Sequence, residues 1–238
     1  MKALIDLHTH TISSGHAYST LKENVEGAKE NGLRILGVSD HAVNMPGTAH
    51  PFYFHNLKVI RDEIMGIRVL KGIEANIIDY EGNIDVEEEV AKTLDYIIAS
   101  LHSPCIEAGT KEENTRALIK VMNNPYVKVI GHPDDSRFPI DYEKLVLAAK
   151  EKDIALEVNN SSLSPRSFRL NAKENYITML KLCKKHQVKI ILGSDAHIYY
   201  DIGLFPYCYE ILKEVNFPEE LVLNFNSECL EYILRTRS

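Results

Sequence analysis

Ala3-Leu4-Ile5-Asp6-Leu7-His8-Thr9-His10 opens the chain with an apolar run that ends in Asp-x-His-x-His, and His16 follows. Successive side chains of a strand alternate between its faces, so Asp6, His8 and His10 can converge on one side. Two imidazoles at one strand end make half of a metal site. Whether the rest of the site exists depends on what stands at the ends of the other strands.

Six further runs of the same kind follow. With 3–7 they occupy 35–38, 69–76, 96–101, 127–130, 154–158 and 188–192. They are short, rich in Ile and Val, and apolar nearly throughout, as in parallel strands covered on both faces. Helical patterns fall between them at 21–31, 56–66, 85–94, 112–124, 141–152, 172–186, 201–215 and 227–234. Gly32 and Gly66 suit helix ends, Pro125 terminates another, and Asp141 suits an N-cap, as does Asn226 or Ser227 for the last helix. Strand–helix alternation predicts parallel strands joined by right-handed crossovers. Seven units predict an α/β fold, a distorted seven-stranded (β/α)7 barrel resembling a TIM barrel, as a single domain over 1–238. An open doubly wound sheet is the competitor, but no Gly-rich phosphate fingerprint follows the first strand. The stretch 44–55, with three aromatics, is expected to loop over the barrel mouth.

Barrel enzymes build their sites at the C-terminal ends of the strands. Here those ends carry His8 and His10, Asp40-His41, Glu74, His102, His132, Asn159-Asn160, and Asp195-x-His197. The chain has ten histidines, and seven of them (His8, His10, His16, His41, His102, His132, His197) fall at or just past strand ends. His50, His55 and His186 read as ordinary loop or helix-end residues. Singly, each strand-end histidine reads as a hydrogen-bonded surface residue, and Glu74 or Asp195 as a helix cap. Together, seven histidines and two acids are too many polar groups for one barrel face unless metal or solvent satisfies them. Nine ligands exceed what one zinc takes and suit three ions with a bridging carboxylate. Imidazole and carboxylate donors without thiolate suit Zn, Mn or Fe. Asp6 and Asp40 are expected to orient ligand histidines from behind.

Composition bounds the function. Of the 238 residues 45% are hydrophobic and 26% charged, as in ordinary globular proteins, and no run is apolar and long enough to span a bilayer. A net charge of -7 argues against a general nucleic-acid surface, although bound metals would still attract anionic substrates. The start runs directly into the first strand, and four cysteines without CxxC spacing read as reduced thiols, so a cytoplasmic location is expected.

Asp6-x-His8-x-His10 with His16, Ser39-Asp40-His41, His132-Pro133 and Gly193-Ser194-Asp195-x-His197, joined by Glu74 and His102, resemble the motifs of the PHP (polymerase and histidinol phosphatase) family over essentially the whole chain. The closest likeness is to stand-alone phosphatases of the YcdX type. The resemblance implies a trinuclear centre, usually zinc. Its ligand sets would be His8, His10, Glu74 and Asp195, then Glu74, His102 and His132, then His16, His41 and His197. It also implies a metal-dependent phosphoesterase, with a homotrimer as one assembly seen among relatives. Two ions ~3.5–4 Å apart can share a hydroxide for in-line attack on phosphorus. The expected catalytic groups are therefore a metal-bound hydroxide with Glu74 and Asp195, and Arg166 on the phosphate, with Arg169 and Arg137 as further candidates. The expected partner is a small phosphorylated substrate, with no stable nucleic-acid partner and no membrane. Histidinol-phosphate phosphatase, a nuclease or exonuclease, an amidohydrolase-type barrel and a non-catalytic metal-binding regulatory module are the competing readings.

Overall fold

The computed structural model describes residues 2–225 and 229–235. It is one α/β domain. Seven parallel strands run in the order β1 (Ile5–Asp6), β2 (Ile35–Val38), β4 (Ile67–Asn76), β5 (Tyr96–Ser100), β6 (Val127–Ile130), β7 (Ala155–Asn159) and β8 (Ile190–Gly193). A short β3 (Glu63–Ile64) pairs antiparallel with β4.

Closure joins β8 to β1 only at the mouth, where Thr9 bridges Ala196 and the His10 N–H donates to the Ala196 carbonyl at 2.9 Å. Below that point the two strands are separated by Asn224. Its side chain accepts the Leu192 N–H at 2.6 Å and donates to the Leu192 and Ile5 carbonyls at 2.8 and 2.9 Å. One amide thus satisfies the backbone groups that a complete strand pair would have satisfied, and the barrel is nearly closed.

Six helices lie between strands, α1 (Leu21–Glu30), α2 (Pro51–His55), α3 (Glu88–Ala91), α4 (Lys111–Val121), α5 (Tyr142–Lys152) and α6 (Ala172–His186), and two follow the last strand, α7 (Pro206–Glu214) and α8 (Cys229–Leu234). Thr20 with Glu23, and Thr110 with Glu113, form capping boxes at α1 and α4. Asp141 caps α5, as its position suggests. The residues expected to cap α8, Asn226 and Ser227, lie outside the described residues. Inside the barrel, Ile5, Leu70, Ile98, Val129, Ala155 and Ile191 pack with Cys229, Tyr232 and Ile233 of α8. Among the described residues, no helix is long and apolar enough to cross a membrane, and all four cysteines are free.

Three expected helices differ. The stretch 56–66 has helical spacing of Leu57, Ile60 and Ile64 but makes one 3-10 turn (Leu57–Val59) and then a hairpin. Met65 and Gly66 both take positive φ (55° and 83°), the two-residue turn that matches the twist of paired strands. The stretch 85–94 is helical only at α3. In 201–215, Gly203 turns at φ 71° and Pro206 starts α7, so the helix begins later. Within 44–55, α2 forms where the sequence suggests only loop. Pro51 sits at its start and His50 Nδ1 accepts the Phe52 N–H.

Candidate metal centre

The site forms where the strands end. His8 and His10 follow β1, His41 follows β2, His102 follows β5, His132 follows β6, and Asp195 and His197 follow β8. Glu74 is the third residue from the end of β4 and is fully buried. Around its carboxylate stand five imidazoles. Oε1 is 2.8 Å from His132 Nε2 and 3.2 Å from His102 Nε2, and it accepts the Ser100 hydroxyl at 2.7 Å. Oε2 is 2.8 Å from His41 Nδ1, 3.3 Å from His8 Nε2 and 3.6 Å from His10 Nε2. Asp195 Oδ1 lies 3.2 Å from His10 Nε2, 3.6 Å from His8 Nε2 and 3.5 Å from His197 Nδ1.

Four sets of three donors lie within 4.8 Å of one another: His8, His10 and Glu74; His8, His132 and Asp195; His10, His41 and His197; His41, Glu74 and His102. His16 is in none of them. It is exposed and stands one ring further out, 5.0 Å from His41 and 4.8 Å from His197 between ring centroids. His50 and His55 lie apart on α2 and its cap, and His186 ends α6.

The ring orientations leave nitrogens free on the cavity side. His8 Nδ1 donates to Glu157 Oε1 at 2.6 Å, and His102 Nδ1 to Asn76 Oδ1 at 2.7 Å. Ser14 spends its hydroxyl proton on Asp40 at 2.7 Å, so its oxygen accepts the His10 Nδ1–H at 3.0 Å. Each of these three rings therefore presents an Nε2 lone pair toward the cluster, as a metal ligand must. Asp40 also accepts Thr11 and Tyr53, and so acts on His10 through Ser14. Asp6 behaves differently from its expected role. It touches no imidazole and accepts the N–H groups of His8, Ser194 and Gly203 instead, pinning β1 to the loop after β8.

The donor set suits metal ions on a direct observation. His8 Nε2, His10 Nε2, His41 Nδ1 and Glu74 Oε2 are buried, face one another and have no hydrogen-bond partner in the protein. Buried polar atoms are rarely left this way unless an ion or water completes them. Electrostatics agree. Burial pushes Glu74 up, but His8, His102 and His41 hold it well below the usual carboxylate range. Burial pushes Asp195 up likewise, and His8 leads the groups that bring it down. Burial holds His102 down at about 4, and burial with His197 and His41 keeps His10 low, so both rings stay neutral and available as ligands. Burial lowers His8 too, but Glu157, Glu74 and Asp195 outweigh it and raise it well above the imidazole range, so His8 offers its Nε2 lone pair only by giving up that proton to a binding ion.

Beside the cluster opens a cavity of about 830 Å3, lined in part by Arg137, Arg166, Arg169 and Phe168. Arg137 is held by Asp135 through two guanidinium bonds, Arg166 is exposed, and Arg169 is largely buried, 3.7 Å from Asp134. Sequence reading singled out neither Glu157 nor Asn76. Glu157 is the lone carboxylate in an apolar strand, Ala155-Leu156-Glu157-Val158-Asn159, and that is the signal that could have found it.

The family model of the PHP domain matches residues 6–236 of this chain. The chain is 47% identical over 237 residues to a protein of Clostridium novyi (strain NT) named "Probable phosphatase", covering 100% of this chain and 96% of that protein. It is 46% identical over 238 residues to a protein of the same name from Acetivibrio thermocellus, covering 100% and 98%. Among solved structures, histidinol phosphate phosphatase from Lactococcus lactis, complexed with Zn, L-histidinol and phosphate, superposes with a TM-score of 0.63 at 17% identity, covering 92% of this chain and 95% of that one. At that identity the likeness concerns the fold.

Proposed function

This chain belongs to the PHP domain family, and on that premise we propose that it is a metal-dependent phosphatase. It hydrolyses small phosphomonoesters at a centre of three divalent ions. The observation that carries this reading is the convergence of five imidazoles on Glu74 with four facing atoms that make no hydrogen bond within the protein. Relatives named as phosphatases at 46–49% identity over nearly the whole chain support the reaction class.

His8, His10, Glu74 and Asp195 would hold one ion, Glu74, His102 and His132 a second, and His16, His41 and His197 a third. Zinc is the first choice for this donor set, with Mn or Fe as alternatives. When bound, such ions supply Lewis acidity at phosphoryl oxygens and make a bound water acidic near neutral pH. The protein contributes the placement. Glu157, Ser14 with Asp40, and Asn76 hold the His8, His10 and His102 rings. Glu74 and Asp195 supply the anionic charge. Arg169 faces the same cavity and supplies a fixed cation for phosphate oxygens. Arg137 is already committed to Asp135, and Arg166 stands free at the rim. The cavity volume suits a small molecule. A homotrimer is the assembly proposed with this reading, and light scattering reads it directly.

The test is metal content and turnover on one metal-defined preparation. The panel holds p-nitrophenyl phosphate, phosphorylated metabolites, histidinol phosphate and a single-stranded oligonucleotide. About three ions per chain with monoester hydrolysis is the expected result. Fewer than two ions under replete conditions sinks the trinuclear centre. Metal binding without turnover makes the chain a binding module, and cleavage of the oligonucleotide alone makes it a nuclease.

A further inference from the structure

We infer that Glu157 is a positioning residue of the metal centre, one buried carboxylate that orients the His8 ring and holds the His132 backbone at the same time. The inference rests on the metal-centre reading above and adds to it a group outside the proposed ligand set.

Its place follows from the strand. Leu156 and Val158 of β7 point outward into the core under the helices, while Ala155 packs inside the barrel. Period two therefore sends Glu157 inward, beneath the cluster. It is 1% exposed, and among the described residues its ion-pair partner is His8. A carboxylate is costly to bury, and among the described residues no Lys or Arg lies within ion-pair distance to offset it. What it has is donors. Oε1 takes the His8 Nδ1–H at 2.6 Å, and Oε2 takes the His132 N–H at 2.7 Å and an Asn159 amide proton at 3.3 Å.

Each bond has a consequence for the site. The first fixes the ring so that Nε2 carries the lone pair toward Glu74 and Asp195. The second holds a strained backbone, because His132 sits at φ 25°, a region that side chains other than Gly rarely adopt. The room for the carboxylate comes from a third strand. A Cβ built on Gly193 of β8 would stand 1.8 Å from Glu157 Oε1 and 3.0 Å from the His8 Cβ. Gly193 precedes Ser194-Asp195, so the glycine of that motif is explained by the carboxylate it admits. The proposed ligands that follow β1 and β6, assigned to separate proposed ions, thus share one anchor.

The test uses the full chain with zinc and two variants. Glu157→Gln keeps the shape but has one acceptor for two N–H donors and turns its own NH2 toward the other. Gly193→Ala keeps the charge but displaces it. In chelator competition, each variant is expected to bind zinc on the order of 10–100-fold more weakly than the parent, while circular dichroism stays the same. In the zinc-loaded parent the His8 Nδ1–H proton is expected far downfield in the NMR spectrum, and in Glu157→Gln it moves upfield. A folded Glu157→Gln with zinc affinity within twofold of the parent overturns the inference. Should that variant not fold, parent-like affinity in Gly193→Ala overturns it. A parent that binds no zinc defeats the metal-centre reading itself and this inference with it, an outcome distinct from a parent and variant that bind equally.

Discussion

Asn76 accepts the Nδ1–H of His102 at 2.7 Å, and the amide is held in that orientation because its nitrogen donates to Asp85 at 2.6 Å. Asp85 also accepts the N–H groups of Asn76 and Asn44. A carboxylate that touches no histidine therefore decides which nitrogen of His102 faces Glu74.

Asp85→Ala is expected to loosen this relay. Zinc affinity of the set containing His102 should fall roughly tenfold, the low end for an outer partner of a ligand histidine. Chelator titration checks it. An unchanged titration curve would show that His102 needs no such support.

Glu74→Ala removes the carboxylate on which five imidazoles converge. Loss of a metal-organised transition state of several kcal/mol predicts a fall in kcat/KM on the order of a thousandfold or more. Steady-state kinetics on p-nitrophenyl phosphate reads it, with zinc content measured on the same samples. Retention of full rate would falsify the shared-carboxylate centre.

Metal removal should lower stability, because ions that bind the folded chain alone stabilise it by mass action. At free zinc of 100 to 1,000 times Kd, each site adds about 3–4 kcal/mol. For a domain of this size that raises the thermal midpoint by roughly 5–15 °C. Calorimetry of metal-free and zinc-replete protein is the measurement, and coincident midpoints would contradict the prediction.

Arg169→Ala should raise KM for a phosphomonoester by roughly 10–100-fold, the range for a lost hydrogen bond to a charged group. Arg137→Ala and Arg166→Ala should act less, since Arg137 is engaged by Asp135 and Arg166 is exposed. Kinetics in which Arg166→Ala has the larger effect would reassign the phosphate contact.

Asn224→Ala should cost about 2–4 kcal/mol, counting three side-chain hydrogen bonds at about 1 kcal/mol each and the groups left unpaired at the seam. Denaturant unfolding, with m-values compared, checks it. A change under 0.5 kcal/mol would mean that water fills the seam as well as the amide does.

Much of the barrel is legible in the chain because its signals are local. The apolar runs at 35–38 and 127–130 coincide with β2 and β6, and 172–186 coincides with α6. The hairpin at Met65-Gly66 is missed because Leu57, Ile60 and Ile64 mimic helical spacing, while the positive φ of Met65 leaves no trace in residue type. Asp6 is misjudged for a related reason. Alternation puts it on the side of His8, but its carboxylate finds three backbone N–H groups nearer than any ring.

The sequence by itself determined the seven parallel strands and most of the helices between them, and placed His8, His10, His41, Glu74, His102, His132, Asp195 and His197 near the strand ends. Periodicity and strand ends are properties of neighbouring residues. Only the tertiary structure decided what stands behind these side chains. His8 meets Glu157 across 149 residues of chain, and Ile5 meets Asn224 across 219. Those pairs exist because the sheet curls until β1 approaches β7 and β8. The burial that results makes each unpaired polar group costly, so a carboxylate or an amide must be supplied from wherever the fold brings one.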